Sequence, residues 1–181
     1  MINKITFRSL EEKDLRLLHN WLNTYFVMEW YNKAGSSYEN VVKKYLPRIH
    51  GEQPTHPYII VCDSIDIGYI QTYRIDDYPE YSKFVGEDIP SAGVDLFIGE
   101  KEYIHKGLGK QILLTFLKDY VFTISAVECC VIGPDPMNKI AISAYEKVGF
   151  KYDKTVYVPD EDEAEYLMKI YKCDVVDSDS R

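Results

Sequence analysis

The chain has 181 residues, enough for one domain with a core of its own, and 46% of them are hydrophobic, which excludes a wholly disordered protein. Its 21 basic and 29 acidic residues give a formal charge of −8. A net negative charge repels phosphate backbones, so nucleic acid is not an expected partner, while polycations are attracted; the same charge also serves solubility.

Four cysteines occur, Cys62, Cys129, Cys130 and Cys173, and none forms a C-x-x-C pair. Cys129 and Cys130 are adjacent, so on a strand they point to opposite faces and suit neither one metal site nor a shared disulfide. Reduced thiols in a cytoplasmic protein are expected. His19, His50, His56 and His105 have no metal-ligand spacing, and no metal is expected. Met1-Ile2-Asn3-Lys4 starts no long apolar run, so no secretory leader is expected, and no stretch has the length and apolarity of a membrane span. No membrane partner follows from this pattern, and the assembly expected is a monomer or homodimer.

In chain order, residues 2–7 alternate loosely and read as a strand. Ser9 and Glu12 have capping-box spacing, and Leu15, Leu18 and Leu22 follow at helical intervals, which predicts a helix over 11–24. A second helix is expected over 38–49, with Pro47 distorting its end. The β-branched and aromatic runs at 58–62 and 67–73 flank a short turn and predict a hairpin. Residues 76–91 lack periodicity and read as a long surface loop, and 93–98 as a further strand.

From Gly107 the positions Ile112, Leu113, Phe116, Leu117 and Tyr120 form a 3.6-residue stripe. Residues 127–132 are a continuous apolar run, as in a central strand buried on both faces. Asn138 is placed to cap a helix with Ile140, Ala141, Ala144, Tyr145 and Val148 inward, closed by Gly149. Residues 150–158 and 166–171 read as a last strand pair. The resulting order, β-α-α-β-β-β-α-β-α-β-β, is a mixed α/β fold rather than a doubly wound one. A single domain over 1–172 and an acidic, disordered tail over 173–181 are expected.

The sharpest local motif is Lys106-Gly107-Leu108-Gly109-Lys110, between a strand and an amphipathic helix. Glycines there allow close approach of a phosphate to backbone N–H groups, and the helix start adds partial positive charge. A plain strand-to-helix turn also fits. The motif is neither a Walker A loop, because Ile104 and Gln111 stand where it needs Gly and Ser or Thr, nor a dinucleotide fingerprint, because Ile112 replaces its third glycine. No G-x-S-x-G elbow is present, and no cysteine has the context of a nucleophile.

The run G-V-D-L-F-I-G-E from Gly93, then K-G-L-G, then P-x-P-x-N-x-x-A-x-x-A-Y-E-K-V-G-F from Pro134, resembles the GCN5-related N-acetyltransferase superfamily. With the early W-L-N at Trp21, M-E-W-Y at Met28 and D-I-G-Y at Asp66, it is more narrowly similar to the aminoglycoside 6′-N-acetyltransferases. The resemblance implies a mostly antiparallel central sheet flanked by helices, with a splayed central strand pair that holds acetyl-CoA. It implies that Phe97 and Ile98 offer backbone groups to the pantetheine, that His105, Lys106, Gly107, Leu108, Gly109 and Lys110 hold the pyrophosphate, and that Asn138 lies near the thioester.

The resemblance further implies that Asp95 receives the proton of the reacting amine and that Tyr145 could protonate the leaving thiolate, although the helical spacing of Tyr145 strongly supports plain core packing. Glu29, Trp30, Tyr31, Asp76 and Asp77 fall where a cationic amino sugar is bound. Related enzymes carry an Asp just before Pro134; here Gly133 stands in its place, with Asp135 as the nearest substitute. The implied reaction is direct attack of an aminoglycoside amine on acetyl-CoA, with another amine, or acyl-CoA binding without catalysis, as alternatives.

Overall fold

A computed structural model of the chain describes residues 3–86, 88–158 and 163–176. The elements run β1 (Ile5–Ser9), α1 (Leu15–Leu22), α2 (Tyr25–Met28), α3 (Tyr38–Ile49), β2 (Thr55–Cys62), β3 (Ile65–Arg74), α4 (Pro79–Val85), β4 (Ser91–Ile98), α5 (Leu108–Asp119), β5 (Cys129–Ile132), α6 (Lys139–Val148), β6 (Lys151–Val158), β7 (Glu163–Tyr171) and α7 (Lys172–Val176). The strands follow the order β1-β2-β3-β4-β5-β7-β6. β1/β2, β5/β7 and β6/β7 are antiparallel, and β4/β5 is parallel. Two compact units are present: Met1–Thr72 with Leu96–Leu108, and Tyr73–Asp95 with Gly109–Arg181.

The first unit is held by an apolar cluster in which Leu15, Leu18, Trp21 and Leu22 of α1 meet Val41 and Tyr45 of α3 and Ile59 and Tyr69 of β2 and β3. Tyr69 stacks on Phe97 with ring centroids 5.6 Å apart, and Tyr45 meets Tyr69 edge-on at 5.5 Å. The hairpin between β2 and β3 turns through Asp63 and Ser64, both left-handed at φ +48° and +69°, the twist a two-residue loop needs. Ser37 accepts from the Asn40 N–H at 3.2 Å and starts α3, which continues through Pro47 to Ile49.

The approach to α1 differs from the capping box expected at Ser9 and Glu12. Ser9 is the last residue of β1, and the Glu11 N–H donates to Asp14 Oδ2 at 3.0 Å instead. A 3₁₀ turn over Glu12–Asp14 precedes the α-helix proper. Asp14 is the better acceptor because Arg8 also holds it, with Nη1 2.6 Å and Nη2 2.9 Å from its two oxygens. The same guanidinium reaches Asp66 Oδ2 at 2.6 Å, so one fork ties β1, the turn and β3 together.

In the second unit, Ile112, Leu113, Phe116 and Leu117 of α5 are fully buried, as their spacing predicts. A separate cluster packs Ile75, Val85, Cys129, Val131 and Leu167, flanked by Tyr73, Tyr81 and Val156. The segment expected to be a long loop contains α4, with Pro79 at its first position and left-handed Gly86 (φ +62°) closing it. Proline without an N–H costs nothing at a helix start, and glycine takes the left-handed cap freely. On α6 Val148 is buried and Ala141, Ala144 and Tyr145 are half-buried as expected, whereas Ile140 is exposed and Ile142 is buried instead. Residues 172–176 are helical with Val175 buried, where a tail without structure was expected from 173; residues 177–181 lie outside the described ones.

Candidate active site

β4 and β5 pair through Ser91↔Cys129, Ala92↔Cys130 and Gly93↔Val131. Among the described residues the parallel register stops there, although β4 runs on to Ile98. β5 ends at Ile132 and is followed by Gly133 and Pro134, and a proline has no N–H to continue a ladder. The divergence leaves the β5-facing edge of β4 without that strand's partner groups beyond Gly93.

Asp95 stands two residues past the last paired position and is half-buried. Tyr145 of α6 is half-buried in the same unit. Burial first, and then the Asp95 carboxylate, push its phenol well above the ordinary tyrosine range, so it holds its proton at neutral pH. Burial, with Cys129 and Asp95 adding to it, likewise pushes the Cys130 thiol up and keeps it from acting as a thiolate. Phe97 turns its ring into the aromatic cluster, 4.8 Å from the Tyr31 ring, so it has only backbone groups to offer at the strand edge; Ile98 is half-buried.

His105, Lys106 and Gly107 are exposed, with His105 at φ +58° and Gly107 at φ +75°. A Cβ added to Gly107 would meet nothing within 4 Å, so the turn is open on that side. Leu108, 5% exposed, anchors the helix start, and the N–H groups of the first turn have no acceptor inside α5. Gly109 is half-buried and Lys110 exposed. An open run of amides at a helix start, with a lysine on each side of the glycine turn, fits a diphosphate. Asn138 caps α6, its Oδ1 accepting from the Ala141 N–H at 3.1 Å.

Glu29 is exposed and follows α2, with Trp30 and Tyr31 half-buried beside it. Asp76 and Asp77 are exposed in a 3₁₀ turn before α4, and Arg74 Nη2 lies 3.7 Å from Asp76 Oδ2. Asp135 accepts from the Met137 N–H at 2.8 Å through Oδ1, so part of this carboxylate holds its own turn.

Two groups escaped the sequence reading. Tyr81 of α4 donates to Glu165 Oε2 at 2.7 Å, and Glu165 lies directly against Gly133. The Pro79…Gly86 punctuation was a usable sign of α4, whereas nothing local singles out Glu165.

The acetyltransferase (GNAT) domain family matches residues 11–158. Aminoglycoside N(6′)-acetyltransferase type 1 of Klebsiella pneumoniae is 31% identical over 160 residues, 87% of this chain and 79% of that protein. Spermidine N(1)-acetyltransferase of Escherichia coli K12 is 25% identical over 152 residues, 83% of this chain and 75% of that protein. The crystal structure of aminoglycoside acetyltransferase AAC(6′)-Ib with coenzyme A and kanamycin superposes with a TM-score of 0.81 at 27% identity, covering 98% of this chain and 100% of that one. The open edge of β4, the amide turn before α5 and these likenesses agree: the chain belongs to the GNAT acetyltransferases and is an acetyl-CoA-dependent N-acetyltransferase.

Proposed function

We propose that the chain transfers the acetyl group of acetyl-CoA to the 6′-amine of an aminoglycoside, and so confers resistance to that antibiotic. The observation that carries the reading is the half-buried Asp95 carboxylate, set just where β4 leaves β5 and sharing its unit with a phenol kept neutral. The 31% identity to an aminoglycoside N(6′)-acetyltransferase supports the acceptor class.

Bound acetyl-CoA supplies an activated thioester. In the proposed step the amine nitrogen forms a bond to the acetyl carbon and the carbon–sulfur bond breaks. Asp95 draws an acceptor ammonium by charge and takes the proton lost on attack, directly or through a water. Tyr145 is protonated and gives its proton to the departing thiolate. The main-chain groups of Phe97 and Ile98 hold the pantetheine as a strand edge holds a peptide, and the amides from His105 to Lys110 hold the diphosphate, with Asn138 near the thioester. Glu29, Trp30, Tyr31, Asp76, Asp77 and Asp135 supply carboxylates and rings for a polycationic sugar. No step calls for a metal. An acetylated amine loses its charge, which weakens the drug's hold on ribosomal phosphates.

The test is release of coenzyme A with kanamycin, tobramycin and a 6′-hydroxyl analogue. Turnover is expected with the first two and none with the analogue, which lacks the acceptor amine. In Asp95→Asn, coenzyme A binding by calorimetry stays the same while turnover falls by about 10²- to 10⁴-fold. Near-normal turnover in that variant removes Asp95 as the base. A linear polyamine is the second reading, favoured by the 25% identity to a spermidine acetyltransferase. A higher kcat/KM for spermidine than for kanamycin decides for it.

A further inference from the structure

The early W-L-N run has no part in the proposed transfer, yet its tryptophan reaches the far end of β4. Trp21 of α1 is 2% exposed, and its indole Nε1–H donates to Glu100 Oε1 at 2.8 Å, across 79 positions of chain. A buried indole N–H needs an acceptor, and a carboxylate is a strong one. Glu100 is half-buried, and among the described residues Trp21 is the one partner of its side chain.

The same indole takes the side-chain space of Gly99. A Cβ added there would collide with Trp21 Cγ and Cδ2 and lie 2.6 Å from Cδ1. Phe97 meets the indole edge-on, with centroids 6.5 Å apart. β4 ends at Ile98, and the Ile67 carbonyl of β3 accepts from the next two N–H groups, Gly99 at 2.8 Å and Glu100 at 3.2 Å. The Glu100 carbonyl in turn accepts from the Tyr103 N–H at 3.0 Å and opens the 3₁₀ turn Lys101–Tyr103, which leads to His105 and Gly107. Trp21, Ile67 and residues 97–107 all belong to the first compact unit. Gly99 and Glu100 thus form the joint between the strand edge proposed for the pantetheine and the turn proposed for the diphosphate.

We infer that Trp21, acting through Gly99 and Glu100, is a positioning residue for acetyl-CoA. It sets the separation of the strand edge at Phe97 and Ile98 from the turn at His105 and Gly107, so that one coenzyme spans both. The inference rests on the reading of those two segments as the coenzyme site. Pantetheine and diphosphate are covalently joined, so their two contacts reinforce each other only when the protein holds its own two segments at a matching distance. Contact with Gly99 fixes how closely the end of β4 approaches α1, and the hydrogen bond to Glu100 fixes the direction in which the chain leaves the strand. Trp21 itself is too deeply buried to offer a surface to the coenzyme.

Calorimetry with coenzyme A and steady-state kinetics of Glu100→Ala and Glu100→Gln test this. Glutamine keeps an oxygen that accepts from the indole, whereas alanine leaves the N–H unpaired. Glu100→Ala is expected to weaken coenzyme A binding and raise the acetyl-CoA KM about tenfold, with kcat and the acceptor KM within about threefold of the unsubstituted protein. Glu100→Gln is expected to stay within about threefold in all of these. Adenosine 3′-phosphate 5′-diphosphate, the coenzyme without its pantetheine, reaches only the turn, and its affinity is expected to be the same for all three proteins. Should Glu100→Ala not fold, Glu100→Asp, which draws the acceptor back by one methylene, takes its place with the same expectation. Suppose the unsubstituted protein binds coenzyme A. If the alanine variant then matches it, if alanine and glutamine lose equally, or if the nucleotide loses as much as the whole coenzyme, Trp21 is not a positioning residue and the coenzyme reading stands. If the unsubstituted protein binds no coenzyme A, that reading fails and takes the inference with it.

Discussion

Asp14, 5% exposed, shows how one carboxylate is held in place. Burial works against its charge, yet the Arg8 fork and the Glu11 N–H outweigh burial and hold the Asp14 carboxyl below the usual range. An unfolded Asp titrates near pH 3.9, so the stabilisation is complete above about pH 4 and is lost as the pH falls through the lower folded value. Asp14→Asn is therefore expected to cost about 2 kcal/mol at pH 7, where it strips a buried partner from Arg8. The gap from the parent protein is expected to narrow as the pH drops below about 4, which urea unfolding at pH 7 and pH 3 measures. An equal gap at both values refutes the ion-pair account. The sequence pointed to the Ser9–Glu12 pair and not to Asp14, whose selection needed Arg8, six residues back and on a strand.

At the scale of elements, β4 carries Asp95, the proposed base, and a glycine leaves room beside it for a neighbouring ring. Gly93 gives up its side-chain space to Tyr73, as Gly133 gives up its own to Glu165. Gly93→Ala places a methyl group against the Tyr73 ring and is expected to cost about 1–3 kcal/mol by overpacking. Tyr73→Ala in the same chain is expected to relieve most of that collision, and denaturant melts of the two single variants and the double one measure the coupling. Additive losses would show that the two residues do not meet. Helix α4 carries both Tyr81 and the buried Val85, and its Pro79 and Gly86 boundaries could be read beforehand. It was missed because seven residues are too few for a helical period to stand out.

For the whole molecule, the charge of −8 suits the proposed polycationic acceptor. The field of the acidic surface raises the encounter rate with cations, and salt screens it over about 10 Å at 0.1 M. The value of kcat/KM for a tetracationic aminoglycoside is expected to fall severalfold between 20 and 300 mM salt, as orders of magnitude go, and far less for a monoamine acceptor. Equal salt dependence for both, in a CoA-release assay, contradicts electrostatic capture. The sequence by itself determined the mixed α/β class, the amphipathic faces of α1 and α5, the cap at Asn138 and the glycine turn before α5, because periodicity, capping and turn chemistry are local. It also carried the likeness from which Asp95 and Tyr145 were read. Only the tertiary structure decided where β4 parts from β5 and which acid fills the space at Gly133. Those outcomes depend on strand register and on Tyr81, which donates to Glu165 across 84 positions of chain, and no local pattern encodes such a distance.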